Sequence, residues 1–322
     1  MIKTRFTERF NLQAPIAQAP MAGAAGGRLA GAVSEAGAMG FIGGGYGDAD
    51  WLETEFKNAG NRKVGCGFIT WSLREQPQLL DQAIEAGAQA IFLSFDDPTD
   101  FAPKIRAAGL PLFCQVQTLA AAKSAINAGA DVIIAQGSEA GGHGASRGTF
   151  SLVAEVAEAI KGTETLLLAA GGIADGRGLA ASLMLGADGV LMGTRFWAAE
   201  EALVPQGFWD RGVDATGDET GRSETIDITR GRDWPAEYGI RAIRTPFSDE
   251  WDQKTDQLRQ DEQAKSTWNA AFASGDAQIA NPIAGEAIGL INSILPAGDI
   301  IESITKEAEQ LLRNGSNCSF ID

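Results

Sequence analysis

Glu85-Ala86-Gly87-Ala88-Gln89-Ala90-Ile91-Phe92-Leu93-Ser94-Phe95 joins the end of a predicted helix to a predicted strand. The residues before this junction, from Leu79 to Ala86, place apolar side chains at helical spacing. Gly87 supplies the left-handed conformation that commonly ends a helix. The run from Ala90 to Phe95 is apolar without alternation, which is typical of a parallel strand buried on both faces. The stretch therefore indicates a helix that leads directly into a buried strand.

The same Ala-Gly phrase occurs at three other places, Glu35-Ala36-Gly37-Ala38, Asn127-Ala128-Gly129-Ala130 and Leu185-Gly186-Ala187-Asp188. Seven further short apolar runs follow helix-like stretches: Ala14 to Met21, Ala38 to Gly44, Lys63 to Thr70, Pro111 to Val116, Asp131 to Gln136, Thr165 to Gly171 and Gly189 to Phe196. Repetition of one βα unit predicts an α/β fold. We favour a (β/α)₈ TIM barrel over a doubly wound sheet because the number of predicted strands reaches eight.

The pattern changes after the eighth predicted strand. Residues 203–280 combine many charges and weak periodicity with four tryptophans, Trp209, Trp234, Trp251 and Trp268. We interpret this segment as a helical insertion packed over one barrel face, with the tryptophans as core anchors. A lid that moves over the site is the alternative.

Two closing helices are predicted after the insertion, from Pro282 to Leu295 and from Pro296 to Leu312. The predicted domains are therefore a barrel formed by residues 1–202 with 281–322, and an insertion formed by residues 203–280.

Composition excludes several classes of function. The chain of 322 residues has a formal net charge of −16 and a pI near 4.5, which disfavours binding to nucleic acid or to anionic membranes. No apolar run is long enough to span a bilayer, and the start of the chain lacks the apolar region of a signal peptide. Three cysteines without CxxC spacing and a single histidine argue against disulfides and metal sites. We expect a cytoplasmic protein without a metal; these patterns leave the oligomeric state open.

Two late loops have the composition of a phosphate site. Active sites of such barrels lie at the carboxyl ends of the strands, and a phosphate commonly binds after strands seven and eight. Ala170-Gly171-Gly172-Ile173-Ala174-Asp175 and Leu191-Met192-Gly193-Thr194-Arg195 follow those two strands. Their glycines allow backbone N–H groups to approach an anion closely. The loops therefore indicate a phosphorylated ligand, although the same sequences would also serve as tight βα turns.

The loop after the sixth strand reads Gln136-Gly137-Ser138-Glu139-Ala140-Gly141-Gly142-His143-Gly144 and contains the only imidazole of the protein. Histidine titrates near neutral pH and is suited to proton transfer from a carbon acid. A lone histidine can equally be a polar residue on a surface loop. Its position at the predicted active end favours a catalytic role for His143.

These motifs resemble the nitronate monooxygenases, formerly called 2-nitropropane dioxygenases. The resemblance rests on Ala19-Pro20-Met21-Ala22-Gly23, the Glu139-Ala140-Gly141-Gly142-His143 element, Ala170-Gly171-Gly172-Ile173, Met192-Gly193-Thr194-Arg195-Phe196 and Ala284-Gly285-Glu286-Ala287-Ile288-Gly289-Leu290-Ile291. It covers nearly the whole chain, in the expected order. It implies a barrel with non-covalent FMN that uses O2 to oxidise alkyl nitronates, and neutral nitroalkanes as a further substrate class, to a carbonyl compound and nitrite.

The resemblance also implies roles for particular residues. Met21, Ala22 and Gly23 would lie along the flavin, and Gln136, Gly141 and Gly142 would contact its ring or ribityl chain. Gly171, Gly172, Gly193 and Thr194 would hold the phosphate, and His143 would match the catalytic histidine. These assignments are expectations that the resemblance supplies.

The chain departs from the family at two strand ends. Many relatives have Asn after the third strand, where this chain reads Gly65-Cys66-Gly67-Phe68-Ile69-Thr70-Trp71, and Thr70 and Trp71 are candidate replacements. The fifth strand ends without a cation for the flavin, which leaves Gln117 or a helix dipole for that task. Arg147 is a weak candidate for binding an anionic substrate, and Cys66 and Cys114 are most simply buried apolar residues.

Two alternatives remain open at this point. One is an NAD(P)H-dependent FMN reductase of quinones or enoyl thioesters, since flavin-dependent enoyl reductases share the fold and a similar Gly-Gly-His loop. The other is a barrel that binds a phosphorylated ligand without turnover.

Overall fold

A computed structural model describes residues 1–315 of the chain. Its strands are β1 (Ile16–Gln18), β2 (Phe41–Gly45), β3 (Gly65–Ile69), β4 (Ile91–Ser94), β5 (Leu112–Val116), β6 (Val132–Gln136), β7 (Gly142–Gly144), β8 (Leu166–Ala170), β9 (Gly189–Met192), β10 (Thr220–Ser223) and β11 (Gly239–Ile243). All eight predicted strands are present and pair in parallel, in the order β1-β9-β8-β6-β5-β4-β3-β2. Met39 closes the ring between β1 and β2, because its backbone bonds to both Ile16 and Gln18. The predicted (β/α)₈ barrel is confirmed.

The helices are α1 (Arg5–Phe10), α2 (Gly27–Glu35), α3 (Ala49–Ala59), α4 (Thr70–Glu75), α5 (Gln78–Glu85), α6 (Ala102–Ala107), α7 (Leu119–Ala128), α8 (Thr149–Ala159), α9 (Gly176–Met184), α10 (Thr194–Trp197), α11 (Gln206–Val213), α12 (Thr225–Thr229), α13 (Pro246–Trp251), α14 (Thr255–Gln260), α15 (Glu262–Ser274) and α16 (Ala297–Asn314). The glycine of every Ala-Gly junction has a positive φ, between 80° and 95°. The repeated phrase is thus a helix end, as predicted. No described helix is both long and apolar enough to cross a membrane.

Aromatic side chains fill the amino-terminal end of the barrel. Phe41, Phe92 and Phe113 are fully buried inside it, with ring centroids 5.2 to 6.5 Å apart. Helix α1 covers this end, and its Phe6 packs on Phe113. Arg5 of the same helix donates two 2.8 Å hydrogen bonds to Asp188, which lies just before β9. Because aromatic side chains fill this end, the space for a ligand among the described residues lies at the carboxyl ends of the strands.

The insertion is not purely helical. Besides α11 to α15, it contains β10 and β11, which form a three-stranded antiparallel sheet with β7 from the loop after β6. Trp268 is fully buried in the core of the insertion, as expected of an anchor. The division into two domains and the movement of a lid stay predictions.

The predicted helix from Pro282 to Leu295 is wrong. This segment forms only a short 3₁₀ turn at Glu286–Leu290. Its backbone N–H groups bond elsewhere, since the Gly285 N–H donates to Thr194 Oγ1 and the Glu286 N–H to the carbonyl of Glu139. The segment therefore packs as a loop against the loop after β6, which contains His143. Likewise, the eighth strand ends at Met192, because the chain enters α10 before Phe196.

Candidate active site

A cavity of about 550 Å³ opens at the carboxyl ends of the barrel strands. Its wall brings together every residue that the sequence assigned to the site: Met21, Ala22, Gly23, Gln136, Gly141, Gly142, His143, Gly171, Gly172, Gly193 and Thr194. Five of the eleven are glycines that follow β6, β8 and β9, so backbone rather than side chain forms much of one wall. The positions agree with the sequence analysis, and the individual roles stay predictions.

The loops after β8 and β9, which the sequence indicated for a phosphate, present backbone N–H groups to this cavity. Gly171 and Gly172 have φ of +101° and +73°, a conformation that only glycine adopts readily. Within the described residues, the N–H groups of Gly172 and Gly193 have no hydrogen-bond acceptor. A Cβ added at Gly193 would meet only Ala19 and Met21, both 3.7 Å away, so its missing side chain leaves room. Such a glycine-lined wall with unused donors fits a flat cofactor with a phosphate.

His143 lies on β7, opposite Ile240 of β11, and is only 9% exposed. Its Nε2 lies 3.0 and 2.9 Å from the two carboxylate oxygens of Asp227. Burial lowers the pKa of the imidazole below its ordinary value, and Arg230 and Arg222 lower it further, whereas the Asp227 carboxylate opposes the shift. The lowered pKa favours the neutral form of the ring, which is the form that can accept a proton.

An amide chain holds the backbone of His143. The Gln117 side chain donates to Gln136 Oε1 at 2.7 Å, and Gln136 Nε2 donates to the His143 carbonyl at 3.1 Å. Gln136 reaches the cavity, but Gln117 lines a separate cavity of about 340 Å³ together with Cys114. Gln117 thus supports the loop and does not line the larger cavity.

Arg222 of β10 holds the same loop from the insertion. Its guanidinium donates to the carbonyls of five residues, Ser138, Ala140, Gly142, Gly144 and Gly239. Burial, with repulsion from Arg241, lowers the pKa of Arg222 to about 10, so the group stays charged at neutral pH. No described carboxylate lies within salt-bridge distance of it. The cation is consequently bound by backbone oxygens alone.

Trp234 covers one face of the His143 ring. Its indole stacks on His143 with centroids 3.4 Å apart and planes 9° from parallel, and Phe95 meets both rings edge-on. The indole N–H donates to the Tyr46 hydroxyl at 2.9 Å. The interpretation of Trp234 as a core anchor is wrong, because this residue is only partly buried and packs on His143.

Two arginines lie at the cavity wall. Arg230 and Arg232 both line it and stand over the Tyr46 ring, 5.7 and 4.2 Å from its centre. In the described part of the chain, neither has a carboxylate within salt-bridge distance. Arg147, the candidate from the sequence, instead pairs with Glu155 outside the cavity. The cavity wall therefore contains two arginines without a salt-bridge partner among the described residues, at positions that the sequence did not indicate.

The end of β3 presents an apolar wall. Gly67, Phe68 and Ile69 line the cavity, whereas Thr70 and Trp71 do not. Thr70 Oγ1 and Trp71 Nε1 are buried without a hydrogen-bond partner among the described residues. Cys66 is also buried, and burial raises the pKa of its thiol, which keeps it protonated. The polar replacement expected from Thr70 and Trp71 is thus not formed.

Comparison with known proteins identifies the family. The sequence profile of the family described as nitronate monooxygenase matches residues 3–62 and 71–307. The chain belongs to the nitronate monooxygenase family. Its match is interrupted over residues 63–70, and this interval contains the apolar wall of β3.

Relatives and solved structures agree with this family. The nitronate monooxygenase of Neurospora crassa is 34% identical, over 92% of this chain and 90% of its own. The solved structure of FabK from Thermotoga maritima has a TM-score of 0.85 and 30% identity, over 98% of both chains. The nitroalkane oxidase of Streptomyces ansochromogenes has a TM-score of 0.80 and 27% identity, over 97% of this chain and 100% of its own.

Proposed function

We propose that this enzyme binds FMN and uses O2 to oxidise alkyl nitronates to a carbonyl compound and nitrite, and that it also takes neutral nitroalkanes. The observation that supports this most is the buried, neutral His143 at the wall of the cavity, in a chain of the nitronate monooxygenase family. When bound, FMN supplies the electron transfer between substrate and O2.

The protein would hold the cofactor through backbone groups of glycines and through Met21, which lies beside Gly193. Gly171, Gly172, Gly193 and Thr194 would bind the phosphate through N–H groups and the hydroxyl, whose oxygen already accepts from the Gly285 N–H. Met21, Ala22 and Gly23 would lie along the ring, with Gln136, Gly141 and Gly142 on the ribityl or ring edge.

The remaining side chains act on the substrate. His143 removes the α-proton of a neutral nitroalkane, which is a task for a neutral imidazole. Arg230 and Arg232 attract the negatively charged nitronate into a protein whose net charge would otherwise repel it. Trp234 and Phe95 exclude water from the ring of His143.

The test uses the purified protein with ethyl nitronate and with nitroethane. We expect a yellow protein with one FMN per chain, O2 consumption and nitrite release. In His143→Asn, turnover of nitroethane should collapse while the flavin stays bound. Unchanged nitroethane turnover in this variant refutes the role of His143, and a protein that cannot be reconstituted with FMN supports the non-catalytic alternative.

The similarity to FabK favours a second candidate, an NAD(P)H-dependent FMN reductase. An anaerobic experiment separates the two functions. Rapid bleaching of the flavin by NADH or NADPH, with no bleaching by a nitronate, would replace the monooxygenase proposal by the reductase. Bleaching by the nitronate supports the primary proposal.

A further inference from the structure

We propose that Asp227 is a positioning residue that fixes the proton of the neutral His143 ring on Nε2, so that Nδ1 is the atom that accepts the substrate proton. The choice of a nitroalkane as the proton donor rests on the proposed function. The assignment of the tautomer rests on geometry alone.

The hydrogen-bonding geometry determines which nitrogen is protonated. Both oxygens of the Asp227 carboxylate lie within 3.0 Å of Nε2. An ionised carboxylate only accepts hydrogen bonds, so Nε2 of His143 must be the donor. Nδ1 has no partner among the described residues and is the nitrogen left for a bound molecule.

The burial of Asp227 indicates that this pair is its main contact. Asp227 is only 4% exposed, and its carboxylate has no hydrogen bond in the described chain other than those to His143. A buried carboxylate is costly unless it is paired. Helix α12 places it there, since Ile226 and Ile228 on either side are themselves buried.

The orientation of the ring is restricted as well. Trp234 covers one face of His143, and the pairing of β7 with β11 holds its backbone. The charged groups that act on the ring are Asp227 and Arg230, from α12 and the residue after it, and Arg222 from β10. Only Asp227 favours the protonated imidazole, so it also stabilises the imidazolium that forms during the reaction.

The proton transfer balances without another reactant. The α-C–H bond of the nitroalkane breaks, its proton joins Nδ1, and its electron pair moves onto the nitro group to give the nitronate. The imidazolium keeps its second proton on Nε2, donated to Asp227.

A direct test is NMR of the FMN-bound enzyme labelled with ¹⁵N-histidine. His143 is the only histidine, so one pair of ring signals reports the tautomer without assignment. We expect a protonated Nε2 and an unprotonated Nδ1 in the wild type. The reverse tautomer overturns the proposal, and this measurement requires no variant to fold.

A kinetic test uses Asp227→Asn, with Asp227→Glu as the conservative variant. We expect kcat/KM for nitroethane to fall about 10²- to 10⁴-fold in Asp227→Asn. The pKa in its pH profile should move down, since the negative charge is lost, and Asp227→Glu should restore part of the rate. Ethyl nitronate needs no deprotonation, so its turnover should change far less. Equal losses for both substrates, with an unmoved pKa, contradict the proposal.

Asp252→Asn is the matched control. Asp252 accepts hydrogen bonds from Ser223 and Thr225, beside the same helix, but does not touch His143. This variant should leave the tautomer unchanged even where it lowers stability. A wild type with protonated Nε2 that turns over neither nitroethane nor its nitronate supports the tautomer assignment and refutes the proposed substrate.

Discussion

Removal of Arg222 should loosen the loop that holds His143. The Arg222→Ala variant loses the charged hydrogen bonds that Nη1 and Nη2 donate to five backbone carbonyls, which share four N–H groups. A charged hydrogen bond contributes about 1.5–3 kcal/mol, and water can replace those on the exposed side of a half-buried group. If two of the five go unreplaced, the loss is about 3 kcal/mol. With an unfolding entropy of about 0.7 kcal/mol/K for a chain of this length, the Tm should fall by roughly 4 °C.

The assay combines thermal unfolding with the nitroethane rate. Arg222→Lys retains the charge with three donors instead of five, so we expect it to lose less of both Tm and rate. Arg244→Ala is the control, because Arg244 lies just after β11, is exposed and forms no side-chain hydrogen bond or ion pair with the described residues of the loop. A Tm for Arg222→Ala equal to that of Arg244→Ala, with full activity on nitroethane, would show that Arg222 does not stabilise the loop.

Three other predictions concern the site. Gly193→Ala should lower the affinity for FMN but leave the Tm of the apoprotein unchanged. Gly141→Ala should lower the Tm of the apoprotein, because its Cβ would lie 2.4 Å from the Gly285 nitrogen. Equal effects of the two variants on this Tm would contradict the prediction. Trp234→Ala should raise the pKa of His143 in the ¹⁵N-histidine spectrum toward its ordinary value, since burial is the main cause of its lowering, and an unmoved pKa counts against the stacking seen here. The pKa of His143 in the folded protein lies below the value of 6.5 in the unfolded chain, so the unfolded chain binds the extra proton first and stability is lost as pH falls below about 6.5. The Tm of the wild type should therefore fall relative to that of His143→Gln as the pH is lowered below about 6.5. A Tm difference that is independent of pH would disprove this prediction.

The barrel and the glycine loops at the carboxyl ends of its strands were predictable because they depend on local sequence patterns. Uninterrupted apolar runs and glycine-ended helices report burial and chain reversal directly, and both follow from residues close together in sequence. The rule that active sites lie at the carboxyl ends of barrel strands then placed Gly171, Gly193 and His143 at one cavity.

The partners of His143 were not predictable in the same way. Asp227 lies 84 residues further along the chain, and Trp234 and Arg222 come from the same insertion, where periodicity is weak. Their contacts depend on how the insertion packs, which no short pattern determines. One weak signal was present, since an acid between Ile226 and Ile228 suggests a buried carboxylate. The helix predicted from Pro282 to Leu295 does not form for a similar reason, because the N–H groups of Gly285 and Glu286 bond to residues that are distant in sequence.

The pairing of β7 with β11 also bears on the order in which the protein becomes active during synthesis. The strand that contains His143 finds its partner only when residues 239–243 are available, almost a hundred residues later. A nascent chain that has just completed the eight barrel strands, at Met192, therefore still lacks both the strand that pairs with β7 and Asp227, which follows in the insertion. A chain that ends before residue 239 would keep the barrel strands but lack the strand that pairs with β7.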